Sequence, residues 1–181
     1  MLMDTSDETL AAAAALGDRE AFAALLARHY DRIFRLAFRL TGHRTDAEDL
    51  TQDICLALPA KLETYRRTAR FTTWIFRVTV NAAHDRRRRA ATRSRAASGW
   101  GDWEVSRKAE MAEAAEALDW LTGAMQRLSP ELRDTVALTL GEELSQADAA
   151  EVLGVSEGTV AWRMSEVKKR LRKAAQAEGM L

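Results

Sequence analysis

LSQADAAEVLGVSEGTVAWRMSEVKKRLRK, running from Leu144 to Lys173, is the stretch whose reading decides the fold. Ser145 is placed to cap a short helix carrying Ala149, Val152 and Leu153, and Gly154 stands where that helix must stop and turn. Ser156 then caps a second helix. At about 100° per residue its Val160, Met164, Val167 and Leu171 fall within an arc of about 60°, a narrow apolar stripe that docks the helix on a small core. The other faces carry Arg163, Lys168, Lys169, Arg170, Arg172 and Lys173. A capped helix, a glycine turn and a second helix with one docked stripe and cations elsewhere make a helix-turn-helix, whose second helix suits a major groove. The plainer reading is a basic C-terminal helix of a bundle with solvated charges.

Upstream of this motif the chain also reads as helices. A first helix is expected over Ser6 to Leu16, ended by Gly17. A second starts near Asp18, carries Phe22, Leu25, Leu26, Ile33, Leu36, Ala37 and Leu40 at spacings of three and four, and stops at Gly42. Thr45 and Glu48 have the spacing of a capping box for a third, with Leu50, Ile54, Ala57 and Leu58 on its buried side and Pro59 ending or bending it. A fourth runs from about Thr72 with Trp74, Ile75, Val78 and Ala82 on one side, and extends into Arg86 to Arg89. Residues 90 to 109 hold Trp100 and Trp103 but no sustained stripe, which suggests a linker. Beyond it, Ala114, Ala117, Leu118, Leu121 and Met125 mark another helix; Ser129 and Pro130 open one more, with Leu132, Val136, Leu140 and Leu144 on its apolar side. The expectation is an all-α chain: a helical domain over residues 1–90, a flexible linker over 91–110 and a second helical domain over 111–181.

Composition agrees with this reading. Among 181 residues Pro occurs at 59 and 130 alone, and no run of alternating β-branched residues appears. No apolar stretch approaches the roughly 20 residues of a membrane span, and the acidic, alanine-rich start does not resemble a signal peptide. A cytoplasmic protein without membrane insertion is expected. The lone Cys55 reads as a packing residue, and the three His show no metal-ligand spacing, so no metal or cofactor is expected.

The net charge of zero conceals four blocks. Residues 1–60 hold six basic and ten acidic side chains, residues 61–100 eleven and two, residues 101–157 four and thirteen, and residues 158–181 six and two. Two cationic segments separated by an acidic one fit a chain that grips DNA at two places.

Two constellations carry chemistry. Asp46, Asp49 and Asp53, with Gln52 beside them, make an acidic helix face. No His or Gly-rich loop nearby supplies a catalytic or phosphate site, which leaves docking on a basic partner or a face stabilised by the helix dipole. Residues 65 to 89 interleave Tyr65, Phe71, Trp74 and Phe76 with Arg66, Arg67, Arg70, Arg77 and Arg86 to Arg89. That mixture suits single-stranded DNA, where bases stack on π faces and cations follow phosphates, although Trp74 and Phe76 also have core spacing.

Taken together, FAALLARHYDRIFRLAFRLTG (22–42), DAEDLTQDICLAL (46–58), FTTWIFRVTVNAAHDRRRR (71–89), LSPELRDTVALTLGEELS (128–145) and GVSEGTVAWRM (154–164) resemble an extracytoplasmic-function (group 4) RNA polymerase sigma factor of the sigma-70 family. The resemblance covers nearly the whole chain outside the linker. It implies a sigma region 2 bundle and a sigma region 4 helix-turn-helix, in a promoter-specificity subunit that is not itself an enzyme. It also implies docking of Asp46, Asp49, Leu50, Gln52 and Asp53 on the clamp helices of the polymerase largest subunit, with region 4 at the flap. Lys61, Tyr65, Arg66, Arg67 and Phe71 would then belong to the loop that captures an unstacked base of the minus-ten element. Arg77, Asn81, Arg86, Arg87, Arg88 and Arg89 would approach the same element from the fourth helix. Ser156, Glu157, Thr159, Trp162, Arg163, Lys168 and Lys169 would meet the minus-thirty-five element. An anti-sigma partner is implied as well, and the linker would thread the polymerase channels.

Two departures from the family pattern stand out. Val80 precedes Asn81 where many members carry Arg, and Ala161 and Trp162 stand where Lys and Ser are common; Trp162 is free to meet a thymine methyl or a protein. The competing reading is a one-component regulator that binds an operator through its helix-turn-helix and dimerises or senses a ligand through its N-terminal helices.

Overall fold

A computed structural model of the chain describes residues 5–96, 123–125 and 127–177. The expected helix carrying Ala114 to Leu121 and most of the expected linker lie outside the described residues. Within them the chain is helical throughout, with no strand. Four helices come first: α1 (Asp7–Ala15), α2 (Arg19–Thr41), α3 (Arg44–Leu62) and α4 (Phe71–Ala96). Then follow α5 (Pro130–Val136), a π turn over Ala137–Gly141, α6 (Gln146–Leu153) and α7 (Glu157–Ala177). Among these no helix is long and apolar enough to cross a membrane.

The helix ends follow local chemistry. The Ser6 hydroxyl accepts from the Thr9 amide, and the Asp18 carboxylate accepts from the amides of Glu20 and Ala21. Gly42 closes α2 with φ at +79°, which a side chain would resist. At α3 the expected capping box is not made. His43 takes the cap position without a side-chain bond, Thr45 lies inside the helix, and Glu48 accepts instead from Arg44 Nε at 2.7 Å. Nor does Pro59 stop α3. Its missing amide removes one bond on an exposed face, while Leu58 and Leu62, both buried, hold the last turn against the core.

The core of α1–α4 is built from Leu10, Leu25, Ile33, Leu36, Leu40, Leu50, Ile54, Leu58, Phe71, Ile75 and Phe76. On α4 the buried face is Ile75, Phe76, Thr79, Val80 and Ala83, rotated from the expected one; Trp74, Val78 and Ala82 are only half-buried. Val80 is therefore a core residue. Truncating a side chain such as Ile33 to Ala would cost about 2–5 kcal/mol.

The helices from α5 onward pack onto this bundle rather than standing apart. Ala137, Leu138, Ala149, Ala150, Val152 and Val160 join the same buried cluster, with α6 lying on α4 and the π turn on α2. A second, smaller cluster of Leu128, Leu132, Val136, Met164 and Val167 fastens α5 to α7. The π turn changes which leucine is inside. The Glu142 amide donates to the carbonyl of Ala137, five residues back, and the wider turn buries Leu138 and leaves Leu140 66% exposed, contrary to the expected stripe.

Candidate nucleic-acid interface

Asp46, Asp49, Gln52 and Asp53 line the outer side of α3, where Asp49, Gln52 and Asp53 are exposed and Asp46 is half-exposed. Leu50 does not join them. It is 1% exposed, turned into the bundle, so its expected place at a docking surface is corrected to a core role. Leu56, which the sequence reading left out, is 74% exposed. At about 100° per residue it falls between Asp49 and Gln52 on the same arc, an angle computable from the sequence alone.

Across a cleft from this row stands α4, and Asp46, Asp53, Lys61, Asn81, Arg86 and Arg89 share its lining. Arg86 reaches over it. Its Nη2 donates to Asp46 Oδ1 at 3.0 Å and to Asp49 Oδ2 at 3.1 Å, and its Nη1 lies 3.8 Å from Asp53 Oδ2. Partial burial works against the cation, but the bonds to Asp49 and Asp46 outweigh it and hold the guanidinium above its usual pKa. Arg88 pairs with Asp85 on its own helix, while Arg89 and Asn81 are exposed.

Between α3 and α4 the loop folds on an aromatic platform. The Tyr65 hydroxyl donates to the Ala69 carbonyl at 2.8 Å, and its ring meets Phe71 at 5.6 Å and Trp74 at 5.1 Å between centroids. Phe71 is 1% exposed, so its expected contact with a base is corrected: it supports the loop from below, with Tyr65 half-buried beside it. Lys61, Arg66, Arg67 and Arg70 point outward from this platform, and Arg67 sits at φ +56°.

Beneath Phe71 lies His29, its ring 5.0 Å away and edge-on. His29 Nε2 is 2.7 Å from Asp7 Oδ2. Burial lowers the His29 pKa, aided by the charges of Arg32 and Arg28, and Asp7 recovers only part of this. Near neutral pH the ring is neutral, with Nε2 donating to Asp7 and the Nδ1 lone pair buried without a partner among the described residues. Burial pushes Asp7 upward, yet the bonds of Arg28 and His29, and their positive charges at the acid pH where a carboxyl titrates, together leave it below the usual range.

Two of the arginines of α4 face the second half of the chain. Arg87 donates both terminal nitrogens to the buried Asp134 carboxylate of α5, at 3.2 and 3.0 Å, and His84 Nε2 meets the same group at 2.6 Å. Arg77 donates to the Glu151 carbonyl of α6 at 2.6 Å. A similar contact joins the π turn to α2, where Arg32 and Arg39 flank the buried Glu142 at 3.2 and 2.7 Å. A Cβ on Gly141 would fall 2.7 Å from Arg39 Cδ, so the bare backbone there lets Arg39 pass.

The helix-turn-helix forms as its spacing predicts. The Ser145 hydroxyl accepts from the Asp148 amide, Gly154 turns at φ +66°, and the Ser156 hydroxyl accepts from the Thr159 amide to open α7. Ser156 and Thr159 are thereby bonded to each other, at 2.8 Å between hydroxyls. Val160, Met164 and Val167 are buried and Leu171 packs beside them. Glu157, Trp162, Lys168 and Lys169 are exposed, Trp162 by 64%, and Arg163 is half-buried.

Burial raises the pKa of the half-buried Cys55 thiol, which keeps it protonated and fits a packing role. Among the described residues no group of three or more His, Cys, Asp or Glu side chains is placed to hold a metal ion.

Comparison with known proteins bears on this geometry. Residues 25–93 match the family Sigma-70 region 2, and residues 112–171 match Sigma-70, region 4. ECF RNA polymerase sigma factor SigM of Mycobacterium tuberculosis is 37% identical, over 93% of this chain and 84% of that protein. The solved structure of CnrH in complex with the cytosolic domain of CnrY superposes with a TM-score of 0.71 at 27% identity, covering 94% of this chain and 97% of that one. The sigma factor RpoE of Bartonella quintana, crystallised with the anti-sigma factor NepR, shares the fold at 22% identity and a TM-score of 0.75.

Proposed function

The chain belongs to the extracytoplasmic-function sigma factors of the sigma-70 family, and from that premise we propose how its residues divide the work. Its function is that of an alternative sigma factor: it binds core RNA polymerase and directs promoter-specific initiation, rather than serving as an operator-binding regulator. It acts in the cytoplasm and performs no covalent chemistry of its own. Residues 1–90 form the region 2 unit and residues 111–181 the region 4 unit, with the linker of 91–110 starting on the last turns of α4, which runs to Ala96.

The observation that carries the assignment of sites is the α3–α4 cleft, where an exposed acidic row faces a basic one. Asp46, Asp49, Gln52 and Asp53 meet the basic face of the clamp helices, with Leu56 as the apolar centre of that contact. Acids around an apolar residue favour rapid, oriented docking on a cationic helix pair. Lys61, Arg66, Arg67, Asn81, Arg88 and Arg89 meet the minus-ten element, where cations hold the phosphates while one base leaves the stack. At the other end α7 enters the major groove of the minus-thirty-five element. Glu157, Trp162 and Arg163 approach base edges and Lys168 and Lys169 the backbone. Ser156 serves as the cap that sets the angle of entry.

The same surfaces are open to regulation by an anti-sigma protein. An apolar groove between the two halves, lined by Phe38, Met125, Val136, Leu140 and Leu171, is a seat for its helix, and the exposed Leu140 is the anchor.

In vitro transcription from a promoter library, with bacterial core polymerase and this protein, tests the function. Transcripts starting downstream of one shared bipartite motif are expected. No gain over core alone, with a known sigma factor active in parallel, would overturn it.

A further inference from the structure

We infer that Glu8 of α1 is a positioning residue for minus-ten recognition, holding the base-capturing loop in shape through the Phe71 amide; this rests on the reading of that loop given above. Helix α1 precedes the segment matched by the Sigma-70 region 2 family, which begins at residue 25. It is nonetheless built into the bundle, with Leu10 and Ala11 buried.

One turn of α1 makes three long-range bonds. Glu8 Oε1 accepts from the Phe71 amide at 3.2 Å, across 63 residues. Asp7 accepts from Arg28 at 2.9 Å and from His29 at 2.7 Å. The Thr5 carbonyl accepts a further bond from Arg28 at 2.7 Å. The Asp7 bonds moor α1 to α2; the Glu8 bond reaches the far end of the loop.

The position of that amide matters. Phe71 is the first residue of α4, so its N–H has no partner within the helix and needs one from elsewhere. A carboxylate there satisfies the donor and complements the helix dipole. Fixing the amide fixes the direction in which the Phe71 ring enters the core, where it meets His29 below and Tyr65 above. Tyr65 in turn closes the loop by its bond to Ala69. The outward cations Arg66 and Arg67 ride on this stack. With the Glu8 bond gone, the loop keeps its cations but samples more shapes, and the strand must order it on binding.

The test uses holoenzyme and a single-stranded oligonucleotide carrying the minus-ten element mapped by the transcription experiment. Glu8→Asp keeps an acid in the first turn of α1 but is one methylene short of Phe71; Glu8→Gln keeps the length and the acceptor. Glu8→Asp is expected to bind the oligonucleotide about tenfold more weakly, the scale of one hydrogen bond to a charged group, and Glu8→Gln within about threefold of wild type. Core affinity should be unchanged in both, and Glu8→Asp should melt only a few degrees lower, the scale of one lost hydrogen bond, and remain fully folded at the assay temperature. Wild-type oligonucleotide binding by Glu8→Asp, or equal loss in both variants, would overturn the inference. Failure of wild-type holoenzyme to retain the oligonucleotide, or indifference to Arg66→Ala with Arg67→Ala, would instead overturn the assignment of the loop.

Discussion

Arg86 donates to Asp49 across the α3–α4 cleft, Nη2 to Oδ2 at 3.1 Å, so a cation of the helix proposed to face the promoter neutralises a carboxylate of the helix proposed to face polymerase. On the proposed assignment the two surfaces are not independent: whatever draws Asp49 outward would free Arg86 for phosphate.

Replacing Arg86 by Gln should separate these roles. Core polymerase would meet carboxylates without an internal competitor, and its affinity should rise by up to about fivefold, the upper range for a partly exposed ion pair. Promoter opening should fall at the same time. Competition against labelled wild-type protein for core, alongside permanganate mapping of unpaired thymines, reads both; unaltered core affinity would mean that the pair does not compete with docking.

Leu56 offers a test of the proposed docking face that leaves every charge in place. Leu56→Ser should weaken core binding about tenfold, as expected for an apolar centre ringed by polar contacts, without lowering the melting temperature. Equal affinity of the variant and wild type in a pull-down titration would remove Leu56 from the interface.

The Asp134 site predicts an asymmetry. Arg87→Ala strands a buried carboxylate with His84 alone, and it should cost about 3 kcal/mol, the lower end for breaking a buried pair. Asp134→Ala leaves Arg87 and His84, both partly exposed, able to turn to water. It should cost less. Urea denaturation of both variants decides, and equal losses would contradict the picture.

His29 sets a pH dependence. Its pKa is lower folded than unfolded, so near neutral pH both states hold a neutral ring and its contribution is intact. As pH falls below the ordinary value of 6.5, the unfolded chain takes up a proton that the folded one refuses, and stability declines. Asp7, lowered from 3.8, adds its own loss at more acid pH. His29→Gln should flatten the curve below pH 6.5, measured as melting temperature against pH; an unchanged slope would assign the decline to other groups.

Much of this was legible in the sequence because it is local. Caps at Ser6, Asp18, Ser145 and Ser156 and turns at Gly42 and Gly154 depend on a few neighbouring residues, and their helices form as expected. The misplaced residues answer to longer-range forces. Leu140 turned outward because a π turn, invisible to a 3.6-residue period, rotated the helix beneath it. Leu50 reads from its spacing as buried and from the resemblance as a docking residue, and the spacing is what holds; Phe71 lies beside proposed site residues in sequence but turns into the core, which residue type alone does not reveal. The contacts of Glu142 and Asp134 join positions 103 and 47 residues away, and no spacing rule announces them.

Gly141, bare so that Arg39 can reach Glu142, ties the inheritance of one half of the molecule to the other. Two modules joined by a tether ought to be interchangeable among relatives, yet here a donor half without the acids at 134 and 142 would leave the recipient's Arg32, Arg39 and Arg87 unanswered, and one with a larger residue at 141 would push Arg39 aside. Hybrids that exchange promoter specificity by swapping the C-terminal half must carry these arginines along with it, so the working unit of exchange is larger than the domain.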